Sequence, residues 1–160
     1  MDNLIKYSYK TPKIWYASGV IIFNHDFTKT IIVKGFDGNI GFPKGGREPN
    51  ERVHQTAHRE VREETGLKTY QYRHDNMLIG EKKGNPENPN LKYTIYYFIG
   101  SVSKDAEEIK LKCFNPNELC FVDWVLIEDA CKMLNNQRRD ILLNAQQYII
   151  KKNQNEITDK

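Results

Sequence analysis

The chain opens polar, over MDNLIKYSYK, and its first sustained apolar run is IWYASGVIIF, residues 14 to 23. A second run, TIIVKGF at 30 to 36, follows after Asn24-His25-Asp26. Both are rich in β-branched and aromatic residues and predict two strands joined as a hairpin. Gly41-Phe42-Pro43-Lys44-Gly45-Gly46 predicts a turn. The period then changes: Val53, Ala57 and Val61 recur every fourth residue, which predicts a helix from about Glu51 to Thr65 with one apolar stripe. Asn50 is placed to cap it, Glu51 falls in its first turn, and Thr65-Gly66 marks a left-handed stop.

Beyond the helix, a strand is expected around Tyr70 to Ile79, and EKKGNPENPN, 81 to 90, reads as a loop because its Gly, Asn and Pro residues forbid a regular element. LKYTIYYFIGSV, 91 to 102, is aromatic and β-branched throughout and predicts a central strand, with a shorter one from Cys120 to Val125. Ile127 to Leu134 and Arg138 to Ile150 carry helical apolar spacing, whereas the tail from Lys151 is too polar to be expected in ordered structure. Strands on both sides of one helix, with further helices at the end, predict an α/β fold with a mixed sheet between helical layers.

Length and composition refine this. The 160 residues, 39% hydrophobic, suffice for one core, so a single domain is expected over 1–152 with a polar tail at 153–160. No apolar leader opens the chain and no run approaches the roughly 20 apolar residues of a membrane span, so no membrane partner is expected, and the cytosol or nucleus is. Cys113, Cys120 and Cys131 are odd in number and lack metal-ligand spacing, which predicts buried free thiols. The formal charge is +3, with Lys44 and Arg47 flanking the Gly-rich turn and Lys82, Lys83 and Lys92 on or beside the expected loop. That placement suits a polyanionic substrate, although a solvated surface accounts equally well for any one scattered lysine.

The chemistry concentrates in GGREPNERVHQTAHREVREETGL, residues 45 to 67. Glu60, Glu63 and Glu64, at i, i+3, i+4, spread over only about 100° of the helix surface. Like charges so placed repel by a few tenths of a kcal/mol per pair, whereas Mg²⁺ or Mn²⁺ takes carboxylate oxygens readily. REVREE alone would read as a solvated acidic face. Its surroundings change that: Gly45, Glu51, Arg59, Glu60, Glu63, Glu64 and Gly66 stand at fixed spacings with apolar Val61 and Leu67 between them. In this the sequence resembles the Nudix family, whose signature is met at every specified position.

The resemblance implies a Nudix α/β/α sandwich and hydrolysis of a phosphoanhydride by water, with Mg²⁺ or Mn²⁺ as cofactor and a polyphosphate-containing small molecule as substrate. It assigns Glu60, Glu63 and Glu64 as metal ligands, joined by the backbone carbonyl of Gly45 or Gly46, and gives Arg59 a supporting role, holding a neighbouring carboxylate in a bidentate pair. The general base is a glutamate of the box, Glu63 or Glu64, or one from a later loop, for which Glu118, six residues before Trp124, is the leading candidate. Glu107 and Glu108 read as a solvated face. For substrate contact the candidates are Lys44, Gly46, Arg47, Lys82 and Lys83.

Phe42-Pro43-Lys44-Gly45-Gly46 is similar to the turn of diphosphoinositol polyphosphate and diadenosine polyphosphate phosphohydrolases, in which the glycines let backbone approach phosphate. Similar turns occur in messenger RNA decapping members, and an RNA body would gain from Lys132, Arg138, Arg139, Lys151 and Lys152 in the final helices. A sanitiser of oxidised nucleoside triphosphates has no residue in its favour, and a non-catalytic binding module would be expected to lack some of the carboxylates. His54 and His58, at i, i+4, lie away from the carboxylate arc and have no third ligand, so zinc is not expected. Tyr93, Tyr96, Tyr97 and Phe98 read as core and sheet surface rather than a base-stacking platform.

Overall fold

In the computed structural model, which describes residues 4–9, 15–84, 88 and 90–158, the strands are β1 (Leu4–Lys6), β2 (Ala17–Phe23), β3 (Lys29–Gly35), β4 (Ile40–Gly41), β5 (Lys44–Gly46), β6 (Tyr72–Gly84), β7 (Lys92–Val102) and β8 (Leu119–Leu126). The helices are α1 (Val53–Thr65), α2 (Ile127–Met133) and α3 (Asn136–Thr158).

Strand β2 is buried along its whole length, and its alternating side chains supply two cores, one on each face of the sheet. Val20 and Ile22 pack with Val53, Ala57 and Val61 of α1, together with Leu78 and Phe98. Ile21 and Phe23 pack with Ile127 and Ala130 of α2 and with Ile141, Leu142, Ala145 and Ile149 of α3. The result is a helix layer on either side of one sheet, the mixed sheet between helical layers that the pattern predicts and the sandwich that the resemblance implies. Along one edge β2 runs parallel to β7, which pairs antiparallel with β6 and, through it, β1. Its hairpin with β3 is brief, with Phe23 opposite Thr30 as the pair in register. Beyond that point β3 turns to β4 and β8, leaving β2 free to accept β5, so that Ser18 lies opposite Gly45.

Several expectations shift. The Gly-rich turn is partly strand, because Lys44–Gly46 pairs with β2. Helix α1 begins at Val53: Arg52 is its N-cap, with Gln55 Oε1 accepting from the Arg52 amide at 2.8 Å, while Asn50 sits at φ 67° two residues too early and Glu51 precedes the helix. Its stop is as predicted, with Gly66 left-handed at φ 81° and donating to Arg62. Strand β6 runs on through Glu81, Lys82 and Lys83 to Gly84, paired residue for residue with β7. Most of the expected loop that remains, residues 85–87 and 89, lies outside the described residues, as does Ile14. Helix α3 continues through the polar tail to Thr158. The three thiols are free, but Cys120 is exposed and the other two only half-buried. Among the described residues no helix is long and apolar enough to cross a membrane.

Candidate functional site

The apolar stripe of α1 faces the sheet, so the adjoining arc is carried to the rim, against β5 and the segment before β8. There Glu60 and Glu63 line a cleft of about 540 Å³ with Gly46, Arg59, Phe114 and Glu118. Glu64 lies beside it, its Oε1 accepting from the Lys44 amide at 2.8 Å. The glycine at position 45 is required by this approach: a Cβ there would stand 2.1 Å from the carboxyl carbon of Glu60. Phe114 and Glu118 come from the loop after β7, which is clamped to the end of α1 by amide bonds from Lys112 to the Thr65 carbonyl (3.0 Å) and from Phe114 to the Glu63 carbonyl (2.7 Å).

Arg59 organises the cleft. Its Nε and Nη2 form a fork on Glu51 at 2.7 and 3.0 Å, Nη2 also donates to the Gly46 carbonyl at 2.8 Å, and Nη1 donates to Glu60 at 2.9 Å and Glu63 at 3.1 Å. The bidentate partner is thus Glu51, which is itself fixed by the Glu48 amide and the Thr56 hydroxyl and held below the usual carboxylate range chiefly by Arg59. The Gly46 carbonyl is engaged by Arg59, and Gly45 stands against the Glu60 carboxyl.

Burial does the rest. Glu60 is 9% exposed and its carboxyl is pushed up to about 7, first by desolvation and then, against the pull of Arg59, by Glu63 and Glu118. Glu64, 8% exposed, is likewise raised to about 7 by desolvation, with Glu60 and Glu118 adding to it. One guanidinium shared among Glu48, Glu51, Glu60 and Glu63 leaves the cleft short of positive charge. Among the described residues no three His, Cys, Asp or Glu side chains are already gathered as a ligand set, since Arg59 holds Glu60 and Glu63 to itself. The donor chemistry nevertheless fits a hard divalent cation: the carboxylate oxygens of Glu60, Glu63 and Glu64 gather within little more than one turn of one helix and are short of counter-charge.

The other candidates divide. Lys44 borders a second cavity, of about 290 Å³, on the far side of Glu64, and burial followed by the nearby Arg138 pushes its ammonium below the usual range. Arg47 turns away, its guanidinium 5.2 Å from the Tyr16 ring centroid. Lys82 donates to the Thr94 hydroxyl across β6 and β7, and neither it nor Lys83 lines either cavity. Glu107 is no free solvated residue, for it accepts from the backbone and ring of His25. His54 and His58 bond to Tyr7 and Tyr72 on the opposite flank of α1. Tyr97 and Phe98 are core as expected. Tyr93, half-buried, packs edge-to-face at 4.9 Å on Trp15, which is 52% exposed and lies over Gly46.

Of the basic residues in the final helices, Arg138 is not on the surface at all, being 2% exposed and paired with Glu81, while Lys132, Arg139 and Lys152 each lie within 4 Å of a carboxylate. Sequence reasoning placed Arg138 on a basic surface and missed Trp15 and Phe114. A signal existed for the first: position 138 falls three and four residues before Ile141 and Leu142, on the buried stripe of α3.

A family model, the NUDIX domain, matches residues 14–145 of the chain. The crystal structure of a binary complex of a C. elegans Ap4A hydrolase is similar with a TM-score of 0.72 at 17% identity, over 86% of this chain and 98% of that one. The E. coli dihydroneopterin triphosphate pyrophosphohydrolase is similar with a TM-score of 0.65 at 17% identity, over 89% and 99%. RenU, a Nudix hydrolase of M. smegmatis, gives 0.65 at 13%, over 88% and 96%. At such identities the likeness is one of fold. No curated protein matches the sequence.

Proposed function

The chain belongs to the Nudix family of pyrophosphohydrolases, and we propose that its acidic cleft hydrolyses a dinucleoside polyphosphate. The observation that carries this reading is the pair of buried carboxyls, Glu60 and Glu64, held near 7 in a cleft whose guanidinium is already shared. Such a pair calls for cations from outside. Glu60, Glu63 and Glu64, with the Gly45 backbone, would hold Mg²⁺ or Mn²⁺. When bound, the metal neutralises phosphate oxygens and lowers the pKa of a water molecule.

The protein's own groups do the remainder. Arg59, fixed by Glu51, keeps Glu60 and Glu63 aimed into the cleft. Glu118, exposed on the cleft wall, accepts the proton of the attacking water, with Glu63 or Glu64 as the alternative base. Lys44 supplies positive charge beyond Glu64. Phe114, 57% exposed in the cleft lining, and Trp15, over Gly46, offer aromatic faces at two places, which favours a substrate carrying bases over an inositol ring.

Metal-dependent turnover of diadenosine tetraphosphate, a diphosphoinositol polyphosphate and a capped RNA, measured side by side, tests this. The dinucleotide is expected to show the highest kcat/KM, and Trp15→Ala or Phe114→Ala to raise its KM by about tenfold. A higher kcat/KM for either competitor, or indifference of KM to both substitutions, would overturn the dinucleoside assignment.

A further inference from the structure

At the far end of the sheet from the acidic cleft lies a cavity of about 630 Å³. Strand β2 measures the separation: Ser18, opposite Gly45, marks the cleft end, and Phe23, opposite Ser101 of β7, marks the other, about 17 Å along the strand. None of the cleft's residues lines this cavity. Arg73 of β6 and Ser101 do, and because they stand directly opposite each other their side chains leave the same face of the sheet. That is the α3 face, since Ile99, two residues before Ser101, packs in the core with Ile149. Asn153 of α3 and Phe27 of the turn between β2 and β3 complete this side. Phe27 is held at φ 62°, where bulky side chains are rarely found, and Gln146 Nε2 fixes its carbonyl at 3.0 Å.

The polar groups gathered here are unspent. The Arg73 guanidinium, the Ser101 hydroxyl and the Asn153 amide have no hydrogen-bond or ion-pair partner among the described residues. Ser101 is only 9% exposed, yet its hydroxyl is not among the sealed, unpartnered atoms, which are Trp124 Nε1 and Arg138 Nη2. It opens onto the cavity or the small recess that continues it beside Tyr148. Of the carboxylates nearby, Glu107 is engaged by His25, and neither Asp105 in the cavity nor Glu156 in the recess pairs with Arg73. Tyr70, 77% exposed, presents an aromatic ring to the same space.

We propose that this cavity is a second, remote site that binds a nucleoside monophosphate, with the phosphate against Arg73, Ser101 and Asn153, the base against Tyr70 and the ribose hydroxyls on Asp105. A guanidinium flanked by neutral donors matches phosphate oxygens, an exposed ring offers a stacking face, and a free carboxylate accepts from hydroxyls. Each group then has a use. Inorganic phosphate alone would leave the ring and Asp105 idle, and the carboxylate would repel it. The volume falls in the range of small-molecule pockets. The site shares no residue with the acidic cleft and does not depend on the reaction proposed there.

Calorimetric titration of the metal-free protein with adenosine monophosphate, adenosine and inorganic phosphate tests the proposal. The monophosphate is expected to bind at least about tenfold more tightly than either fragment, and Arg73→Met and Tyr70→Ala are each expected to weaken it about tenfold. Ser101→Ala should cost about threefold. Arg73 and Tyr70 are exposed, so both variants are expected to keep the wild-type Tm. Fragment binding as tight as that of the monophosphate, monophosphate binding indifferent to Arg73→Met, or none at all, would overturn the site. Failure of the hydrolase reading would show separately, as an absence of metal-dependent product from every substrate.

Discussion

Helix α1 carries titratable side chains on both flanks of its apolar stripe, and burial is resolved in opposite ways on the two. On one flank, hydrogen bonds run as a closed series. His74 Nδ1 donates to the Asp75 carbonyl at 2.6 Å, so its Nε2 must accept from His58 Nε2 at 3.3 Å, which leaves His58 Nδ1 to accept from the Tyr72 hydroxyl at 2.5 Å. Neutral rings complete that series, and burial, reinforced by His74 and then His54, pushes His58 down to about 4. On the other flank, Glu60 and Glu64 are pushed up to about 7 by the same desolvation, and their compensation is partial: Glu60 shares the Arg59 guanidinium with three other carboxylates, and Glu64 has the Lys44 amide and the Lys44 charge. A flank that satisfies itself is structure. A flank that does not is a binding site in waiting.

Breaking the carboxylate flank should have the largest effect. Glu63→Gln and Glu64→Gln are each expected to lower kcat by about 10³-fold or more with Tm little changed, read by steady-state kinetics and thermal unfolding; near wild-type turnover would remove either from the machinery. Arg59→Met should follow, costing about 10²-fold in kcat together with several degrees of Tm, because it frees Glu51, Glu60 and Glu63 at once. Glu118→Gln discriminates between the two placements of the base. A loss well above about tenfold assigns the proton to Glu118, and a smaller one returns it to the helix.

The remaining two predictions sharpen the contrast through pH. For Glu60 and Glu64 the folded value, about 7, lies above the 4.5 of a glutamate in the unfolded chain, so their contribution to stability is full below 4.5 and is lost as pH rises through 7. For His58 the folded value, about 4, lies below 6.5, so its contribution is full above 6.5 and is lost as pH falls through 4. In metal-free protein the slopes oppose each other. Mg²⁺ binding must expel the carboxyl protons, so the Tm gain on adding Mg²⁺ is expected to grow from pH 5 to 8; a gain independent of pH would contradict proton displacement. The smallest effect is on the imidazole flank: His58→Asn should leave kcat within about twofold, lower stability by about 1–2 kcal/mol, and steepen the metal-free fall in Tm between pH 5 and 7. A kcat collapse in that variant would show that the two flanks are coupled.

Much of this was legible in residue order, because the relevant relations are local. Val53, Ala57 and Val61 announce the stripe of α1, Gly66 its end, and the spacing of Glu60, Glu63 and Glu64 their common arc, since a 3.6-residue repeat depends on nothing beyond the helix itself. The run from Gly45 to Leu67 likewise carries its family in its spacing. The strands β2, β3, β7 and β8 were each visible as β-branched and aromatic runs. What composition misjudged were elements formed by a partner far away in the chain. Lys44–Gly46 becomes strand only because β3 diverges and leaves β2 an open edge, and Lys82 and Lys83 continue β6 only because β7 lies alongside.

Tertiary structure alone decided the electrostatics. Arg138 and Glu81 stand 57 residues apart and read as ordinary surface charges until α3 lays one against the other under Gly41. The carboxyls of Glu60 and Glu64 titrate near 7 rather than where isolated glutamates do, because desolvation depends on what packs around a group, and sequence spacing says which charges are neighbours without saying how dry they are.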